Sequence, residues 1–483
     1  MKWEKYSLIN ESHLNLFKKY HNKKQKNWYN NQFHLAGYCG STNDPNGLVY
    51  YKGQYFIFMQ NCPFSIQHYN KSWALYTTKD FINYVYEGLT LIPSTDYDKN
   101  GVFSGSARVN KNGEIEIYYT GNVKFNDLER TSYTLKALID LKEKIITKEL
   151  LFECDLKKYT GHFRDPVVFE NNNKLFMLNG AQTLDKKGVL NVYEFINESW
   201  QWTKDIIVDE KDEQNSYMVE CPNFFKIENK EYIMACLEQD ASLKDGSHFV
   251  KYREVKFDSK ANFKFKSSFN KIDLGFDFYA PQIFSNTDDR IIMLGWLGNS
   301  KSNPFPKELK TWSNHLTIPR QLTLKNNIIT QLPIKELEKL RLNKISLKNN
   351  SFYYENGLVE LKANKILNND FEILIKNKNK NVVLKNKNNI FSIDRSLMDY
   401  NDELNLPSKL NFDNLKINTL RILIDRSCLE IFINEGEQVI SLRFFIKNHN
   451  QIVTNLKEVD VIQLDSNKYI WNNIIFKNEL KEK

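Results

Sequence analysis

Short runs of aromatic and β-branched residues, separated by polar turn residues, recur along the chain from Phe33 to about Leu324. Clear examples lie at residues 48–51, 54–59, 73–78, 115–119, 174–178, 232–236 and 290–294. Strands at this density, with few helical periods between them, predict an all-β domain. A radially repeated sheet would explain the recurring hairpin-like units and protect their edges, and a large sandwich would explain the pattern nearly as well.

The pattern changes after residue 330. Apolar residues at 334, 337 and 340 after Pro333 predict a short linker helix. From about Ser346, apolar and polar residues alternate again, at 359–363, 371–375, 420–424 and 429–433. This alternation predicts antiparallel sheets packed face to face, which would form a second all-β domain.

The start of the chain is polar and rich in Lys and Asn, with a short helix predicted from Glu11 to Tyr20. The resulting division is an N-terminal polar segment (1–32), a first β domain (33–330), a linker helix (331–345) and a second β domain (346–483). The second domain is also a candidate surface for a homo-oligomer, although no pattern in the sequence determines an oligomeric state.

Composition narrows the class of protein. The 483 residues are 41% hydrophobic, which suits folded domains with real cores, and the formal charge of +8 comes from Lys scattered among Asn. We interpret those Lys residues as solvated surface, because no aromatic interleaving or binding motif accompanies them, and expect no nucleic-acid partner. The six cysteines are widely spaced and form no C-x-x-C motif, which disfavours a zinc site and a disulfide framework. We therefore expect no metal and no cofactor.

The first ten residues lack the apolar core of a secretory signal, and no later run approaches the roughly 18 apolar residues of a membrane span. The sequence therefore predicts a cytoplasmic protein with no membrane partner, whose substrate is already inside the cell.

Asp44 is the first candidate catalytic residue. It precedes Pro45, which biases it towards an extended conformation, and Gly47 can adopt the positive φ that would reverse the chain. We predict a tight turn that holds the carboxylate at the end of a strand. The alternative is an ordinary turn with no chemistry, since Asn, Asp, Pro and Gly are common turn residues.

Two further carboxylates strengthen the catalytic interpretation. Asp165 also precedes a proline, and Arg164 beside it could keep it ionised or contact a polar ligand. Glu220 lies among apolar neighbours, where burial would raise its pKa and let it hold a proton near neutrality. The alternatives are an exposed ion pair in a turn for Asp165 and a solvent-facing strand residue for Glu220.

One ionised and one protonated carboxyl are what cleavage of a glycosidic bond requires. The leaving oxygen must be protonated, and a carboxylate must attack or shelter the anomeric carbon as it gains positive charge. No phosphate-binding loop, nucleophile elbow or metal signature competes with this chemistry.

At these residues the chain resembles glycoside hydrolase family 32, the invertase and β-fructosidase family. The matches follow the family's order and cover nearly the whole chain from Phe33, at residues 43–47, 102–107, 119–122, 163–166, 220–222, 275–282, 295–296, 316–322 and 425–432. The resemblance implies a five-bladed β-propeller followed by a C-terminal β-sandwich. It also implies a retaining mechanism, in which Asp44 is the nucleophile, Glu220 the general acid and then base, and Asp165 a stabiliser that holds fructose hydroxyls.

The resemblance further implies a fructose pocket lined by Asn43, Gln60, Phe103, Ser104, Arg164 and Trp296. For Trp296, the alternative is a core residue of its strand. The chain departs from the family at His68, Ser72 and Leu75, where an aromatic wall and a polar contact of the sugar pocket look altered. These departures bear on substrate specificity more than on bond cleavage.

The predicted function is therefore a glycoside hydrolase, a β-fructofuranosidase that cleaves sucrose 6-phosphate or sucrose. The phosphate would need Lys or Arg near the glucosyl side, but the sequence offers too many Lys to nominate one. Two alternatives remain open: a hydrolase of another β-fructoside or fructan, and a sugar-binding protein with impaired turnover.

Overall fold

A computed structural model describes residues 6–67, 69–126, 129–208, 216–238, 248–287, 289–300, 305–367, 370–400 and 407–481. Strands account for 57% of the structure and helices for 5%, which confirms the all-β prediction. Within the described ranges, no helix combines the length and the apolar character needed to cross a bilayer.

Both predicted helices are present. A 3₁₀ helix, Glu11–His13, leads into α1 (Leu14–Gln25), which continues beyond the predicted end at Tyr20. Phe17 packs edge-on against Phe64, so the buried face of α1 rests on the strands that follow. The predicted linker helix is the 3₁₀ helix Lys335–Leu340.

Five antiparallel sheets follow one another along the first part of the chain. The first contains β1 (Gly40–Tyr51), β2 (Gln54–Cys62), β3 (Ser72–Thr78) and β4 (Asn83–Leu91). The second contains β5 (Val102–Val109), β6 (Ile115–Lys124), β7 (Arg130–Asp140) and β8 (Ile145–Glu153). The third contains β9 (Tyr159–Asn171), β10 (Lys174–Thr183), β11 (Gly188–Ile196) and β12 (Ser199–Ile206).

The fourth sheet contains β13 (Met218–Ile227), β14 (Lys230–Glu238), β15 (His248–Phe257), β16 (Phe263–Phe265) and β17 (Asn270–Lys271). The fifth contains β18 (Tyr279–Ile283), β19 (Ile291–Leu297), β21 (His315–Leu316), β22 (Arg320–Lys325) and β23 (Ile328–Pro333), while β20 (Trp312–Ser313) pairs with β1. Each strand named in the sequence analysis for this region is observed, usually with longer bounds.

The first strands of these five sheets contact one another in a closed cycle, β1 to β5, β9, β13, β18 and back to β1. Residues from all five strands line a single small cavity between them. Each of the five strands also loses its pairing register for a residue or two near this cavity. Since β-bulges re-aim side chains, these five irregularities decide what points towards the axis of the cycle.

Proline explains a bulge in four of the five strands. Pro lacks the N–H that a strand ladder needs, so the ladder breaks where Pro occurs inside a strand. The breaks coincide with the dipeptides Asp44-Pro45, Asp165-Pro166, Cys221-Pro222 and Ala280-Pro281. In the last three, the residue before Pro has a positive φ, between 45° and 65°.

The predicted tight turn around Asp44 is therefore wrong. The stretch from Asn43 to Gly47 lies inside β1, and the chain continues in the same direction to Tyr51. Gly47 does have the predicted positive φ, 53°, but within a bulge, where an added Cβ would lie 3.0 Å from the Phe58 ring. Two bulges within β1, and not a turn, therefore orient the carboxylate of Asp44.

Two six-stranded sheets make up most of the remaining chain. One contains β24 (Arg341–Lys344), β26 (Leu358–Ala363), β31 (Leu420–Asp425), β32 (Cys428–Ile433), β33 (Gln438–Arg443) and β35 (Val459–Leu464). The other contains β25 (Ser351–Tyr353), β27 (Phe371–Lys376), β28 (Asn381–Lys387), β29 (Ile390–Asp394), β30 (Lys409–Asp413) and β34 (Gln451–Thr454). Their inner faces share one apolar core.

The last two strands leave these sheets. Strands β36 (Lys468–Trp471) and β37 (Lys477–Leu480) pair in parallel with β4 and β8, the outer strands of the first two sheets. The chain thus returns to the region where it began.

A cluster of buried charges joins the first five sheets to the last two. Arg320 donates to Glu430 and Asp273, and the ring of His34 lies between Asp425 and Glu430, at 2.8 Å and 2.9 Å. All five side chains are excluded from solvent.

Two further arginines extend this inter-sheet charge cluster. Arg395 and Arg443 both donate to Asp277, at 2.9 Å each. The cluster therefore spans residues from both ends of the chain, which fixes the two groups of sheets against each other.

Candidate active site

Asp44 lies in the first bulge of β1, where a polar network holds its carboxylate. Asn43 Nδ2 donates to Asp44 Oδ1 at 2.9 Å, and the Ser104 hydroxyl donates to Oδ2. Gln60 joins the two partners, because it accepts from Asn43 and donates to Ser104 at 3.1 Å. Three predicted pocket residues thus lie together around the predicted nucleophile.

The network fixes the orientation of the Asp44 carboxylate and donates a hydrogen bond to each of its oxygens. Burial raises the pKa of Asp44, the nearby Lys71 ammonium and the Ser104 hydroxyl oppose that rise, and the charge of Glu220 adds to it. A carboxylate that is held by donors but crowded by a second carboxylate is a suitable nucleophile, because attack on an electrophile relieves the crowding.

Asp165 lies in the bulge of β9 with a φ of 65°. Its Oδ2 accepts the backbone N–H of Cys221 at 2.9 Å, and its own N–H donates to Thr120 at 2.9 Å. Burial has the largest effect and raises the pKa of Asp165, Arg164 lowers it, and the charges of Glu220 and Asp44 add to the rise. Arg164 thus favours the ionised form of Asp165, as the sequence suggested, but the effect of burial is larger.

Arg164 forms an ion pair with Glu220. Its Nε and Nη2 both approach Glu220 Oε1, at 2.8 Å and 2.7 Å, and its Nη1 lies 3.0 Å from His162 Nδ1. Tyr279 donates its hydroxyl to Glu220 Oε2 at 2.8 Å. Both oxygens of Glu220 therefore accept hydrogen bonds.

These contacts correct the expected protonation of Glu220. Burial alone would raise its pKa, as the sequence suggested, but the Arg164 guanidinium, the neighbouring Glu238 and the hydrogen bond from Tyr279 lower it instead. The raised pKa belongs to Glu238, the neighbour of Glu220 on the next strand, because it is buried beside the Glu220 charge.

The remaining predicted residues lie around this core. Phe103 is half-buried, and the Lys71 ammonium lies 4.6 Å from the centre of its ring. Trp296 is 2% exposed and packs edge-on against Tyr279, with ring centres 6.4 Å apart. Trp296 therefore supports the tyrosine that contacts Glu220, which is closer to the core alternative than to an open pocket wall.

The three departures from the family pattern have different places. Ser72 and Leu75 are fully buried in β3, and Leu75 belongs to an apolar core cluster. His68 lies outside the described residues. Any effect of these positions on the sugar stays a prediction.

Two contacts of the site were missed by the sequence analysis. Tyr279 precedes Ala280-Pro281, the same kind of X-Pro bulge that marks the carboxylates, so the recurrence of X-Pro in inner strands was a usable signal. Glu238 lies two positions after Cys236, the residue that pairs with Glu220. Its side chain is therefore on the same face of the sheet as that of Glu220. That signal needs the strand register, which the sequence does not provide.

Comparison with known proteins defines the class. The family description "Glycosyl hydrolases family 32 N-terminal domain" matches residues 34–333, and "Glycosyl hydrolases family 32 C terminal" matches residues 323–466. The chain belongs to glycoside hydrolase family 32.

Particular relatives share one name. The sucrose-6-phosphate hydrolase of Vibrio alginolyticus is 32% identical over 87% of this chain and 87% of its own length. That of Lactococcus lactis subsp. lactis is 30% identical over 93% of this chain and 96% of its own. The structure of sucrose-6-phosphate hydrolase from Lactobacillus gasseri superposes with a TM-score of 0.84 at 27% identity, over 96% of this chain and 98% of that one.

Proposed function

We propose that this chain is a retaining β-fructofuranosidase that hydrolyses sucrose 6-phosphate, or sucrose, to fructose and glucose 6-phosphate, or glucose. The observation that carries the proposal is that Asp44, Asp165 and Glu220 lie on three of the five inner strands around one small cavity, each with different partners. The names of the full-length relatives support the choice of substrate.

The partners suggest a role for each carboxylate. Asp44, oriented by Asn43 and Ser104, attacks the anomeric carbon of the fructosyl unit as the bond to the glucosyl oxygen breaks. Glu220 delivers a proton to that oxygen and a covalent fructosyl-enzyme forms. Glu220 then takes a proton from water, the water oxygen attacks the same carbon, and Asp44 is released. Two inversions give net retention, with the Asp44 and Glu220 carboxyls about 5–5.5 Å apart.

Asp165 would hold the fructose hydroxyls. Its backbone donor from Cys221 satisfies one oxygen, which leaves capacity to accept from a sugar hydroxyl. Gln60, Phe103 and Arg164 would complete the fructose pocket, and Trp296 would act through its contact with Tyr279.

For the fold, we propose a five-bladed β-propeller followed by a β-sandwich, with the catalytic domain at 33–330, the linker at 331–345 and the sandwich beginning at 346. The closed cycle of five inner strands and the shared core of the two last sheets support this proposal. Strands β36 and β37 would then belong to the outer edges of the first two blades.

Lys71 and Arg130 are the cations best placed for a substrate phosphate. Lys71 lowers the pKa of Asp44 and lies over the ring of Phe103. Arg130 is close enough to Arg164 and Glu220 for both charges to affect its pKa. In the described part of the chain, neither is paired with a carboxylate, so both keep their charge available for a phosphate. A phosphorylated substrate would be met inside the cell, in line with the cytoplasmic prediction.

The test is steady-state hydrolysis of sucrose 6-phosphate and sucrose by the purified protein, with Asp44→Asn as the control. We expect a higher kcat/KM for the phosphorylated sugar and no turnover by the control. Hydrolysis of fructans in preference to both sugars would replace the substrate in this proposal. A folded protein that binds sugars without turning any over would contradict it.

A further inference from the structure

The register of β13 and β14 places a fourth carboxyl beside the proposed acid. Glu220 pairs with Cys236, and Met218 pairs with Glu238. Because side chains alternate across a strand, Glu220 and Glu238 are diagonal neighbours on one face, within reach of two long side chains. Glu238 is 8% exposed, so this neighbour is buried.

The described groups around Glu238 come from four strands. Glu220 on β13 and Tyr217, just before that strand, both act on the pKa of Glu238. On β15, His248 Nδ1 lies 3.8 Å from Glu238 Oε1. On β9 and β18, Arg164 and Tyr279 reach it through Glu220 and by charge.

Two buried carboxyls side by side on one face can form a hydrogen bond with each other only if one of them carries a proton, since two carboxylates are both acceptors only. In its hydrogen bonds with Arg164 and Tyr279, Glu220 is the acceptor at both of its oxygens. Glu238 is therefore the member of the pair that carries the proton. Burial and the adjacent Glu220 charge raise the pKa of Glu238 accordingly.

We propose that Glu238 is a positioning residue that stores the proton Glu220 delivers to the leaving group. This inference rests on the proposed function and deepens it, because it explains how a glutamate held ionised by Arg164 can act as a general acid. The two glutamates work as one unit with one proton between them.

The proton balance is complete. In the first half-reaction, the glucosyl oxygen takes a proton from Glu220 as its bond to the fructosyl carbon breaks, and Glu220 takes the proton of Glu238. Both glutamates are then ionised beside Arg164. In the second, Glu220 removes a proton from water as the water oxygen bonds to the fructosyl carbon and Asp44 leaves, and that proton returns to the pair. No other reactant is needed.

The test compares Glu238→Gln with the matched control Glu254→Gln, a half-buried glutamate on β15 paired with Lys230 away from the site. For Glu238→Gln, we expect the basic limb of the kcat/KM profile to move to lower pH by about one unit or more, and kcat/KM for sucrose near pH 7.5 to fall about tenfold. Glutamine keeps the volume and a hydrogen bond but cannot carry the proton.

Two further measurements separate this role from a structural one. With fructosyl fluoride, whose leaving group needs little protonation, Glu238→Gln should lose much less kcat/KM than with sucrose. In a Glu220→Gln background, Glu238→Gln should cause little additional loss, because residues that act as a unit are not additive.

An unchanged basic limb in Glu238→Gln, with equal losses on both substrates or only a raised KM, would overturn the proposal and assign Glu238 to packing or sugar binding. Its failure is distinguishable from failure of the proposed function, in which wild-type protein hydrolyses no fructoside at all. A shifted limb in Glu254→Gln would also contradict it.

Discussion

Two buried clusters of charged side chains in this molecule differ in their balance of acidic and basic groups. The inter-sheet charge cluster sets four basic side chains against four acidic ones: His34, Arg320, Arg395 and Arg443 against Asp273, Asp277, Asp425 and Glu430. The candidate active site buries four carboxyls, Asp44, Asp165, Glu220 and Glu238. Among the described residues, Arg164 is the one arginine or lysine ion-paired with any of them, and His248 Nδ1 lies 3.8 Å from Glu238.

The pKa shifts follow this difference. In the inter-sheet cluster, burial raises the pKa of Asp273, but Arg443 and Arg395 lower that of Asp277 and Arg320 lowers that of Glu430 despite their burial. In the site, the pKa values of Asp44, Asp165 and Glu238 are raised, because burial and mutual repulsion exceed what one arginine can compensate. A balanced cluster holds structure together, and an acidic excess keeps protons available for chemistry.

The largest expected difference comes from Asp44→Asn. We expect kcat to fall by about 10⁴-fold or more, since the nucleophile is lost. We also expect the melting temperature to stay equal or rise. The raised pKa means that ionised Asp44 destabilises the fold above its unfolded pKa, and Asn removes that cost. Activity assays and thermal unfolding at pH 7 check both; a large drop in melting temperature would contradict the comparison.

Glu430→Gln should reduce stability and leave kcat nearly unchanged, the reverse of Asp44→Asn. Glu430 accepts from His34, Arg320 and the backbone of Ile318, all buried. Its removal should lower the free energy of unfolding by about 3–5 kcal/mol, because charged donors lose their partner. Urea unfolding measures this change, with kcat nearly unchanged where the protein stays folded.

Glu437→Gln is the matched control for that substitution. Its pair with Lys325, at 3.4 Å, is largely exposed, so we expect a loss of at most about 1 kcal/mol. Similar losses for both variants would mean that the inter-sheet cluster contributes no more than a surface pair.

Arg130→Ala tests the idea that cations near the site are left for the substrate. We expect kcat/KM for sucrose 6-phosphate to fall about 10- to 100-fold, as one charge-assisted hydrogen bond is lost, with little change for sucrose. Parallel kinetics on the two sugars measure the split, and Lys136→Ala, a surface lysine on the same strand, is the control. Equal losses on both sugars would remove Arg130 from phosphate recognition.

The smallest effect concerns pH. Burial opposes protonation of His34, but Cys428, Asp425 and Glu430 raise its pKa well above 6.5. A raised folded pKa gives stability that is complete below pH 6.5 and is lost as pH rises through the folded value. The free energy of unfolding should therefore fall from pH 6.5 to 9 in the wild type, by about 1 kcal/mol or more. In His34→Gln that fall should be weaker, and an equal slope in both proteins would contradict this origin.

The sequence predicted much of the fold because strand periodicity and turn residues are local signals. The strands from residues 54–59 to 429–433 are all observed, as is the helix beginning near Glu11. The turn around Asp44 was wrong because Asn, Pro and Gly favour turns and strand bulges for the same backbone reasons, and only the partner strand β2 distinguishes them.

The site was predictable to the level of its residues but not of their protonation. Asp44 and Asp165 directly precede a proline, and Glu220 lies two residues before one. The pKa of Glu220 depends on Arg164 and Glu238, which reach it from β9 and β14. Apolar sequence neighbours suggested a raised pKa, and partners brought in by the tertiary fold lowered it.

The parallel pairing of β36 with β4 and of β37 with β8 has a consequence for folding on the ribosome. The outer strands of the first two sheets emerge early, yet their partners emerge after almost all the intervening chain. Until then, β4 and β8 are open edges that can recruit strands from other nascent chains. We therefore expect yield of this protein in cells to depend on elongation rate and chaperone supply more than its final stability would suggest.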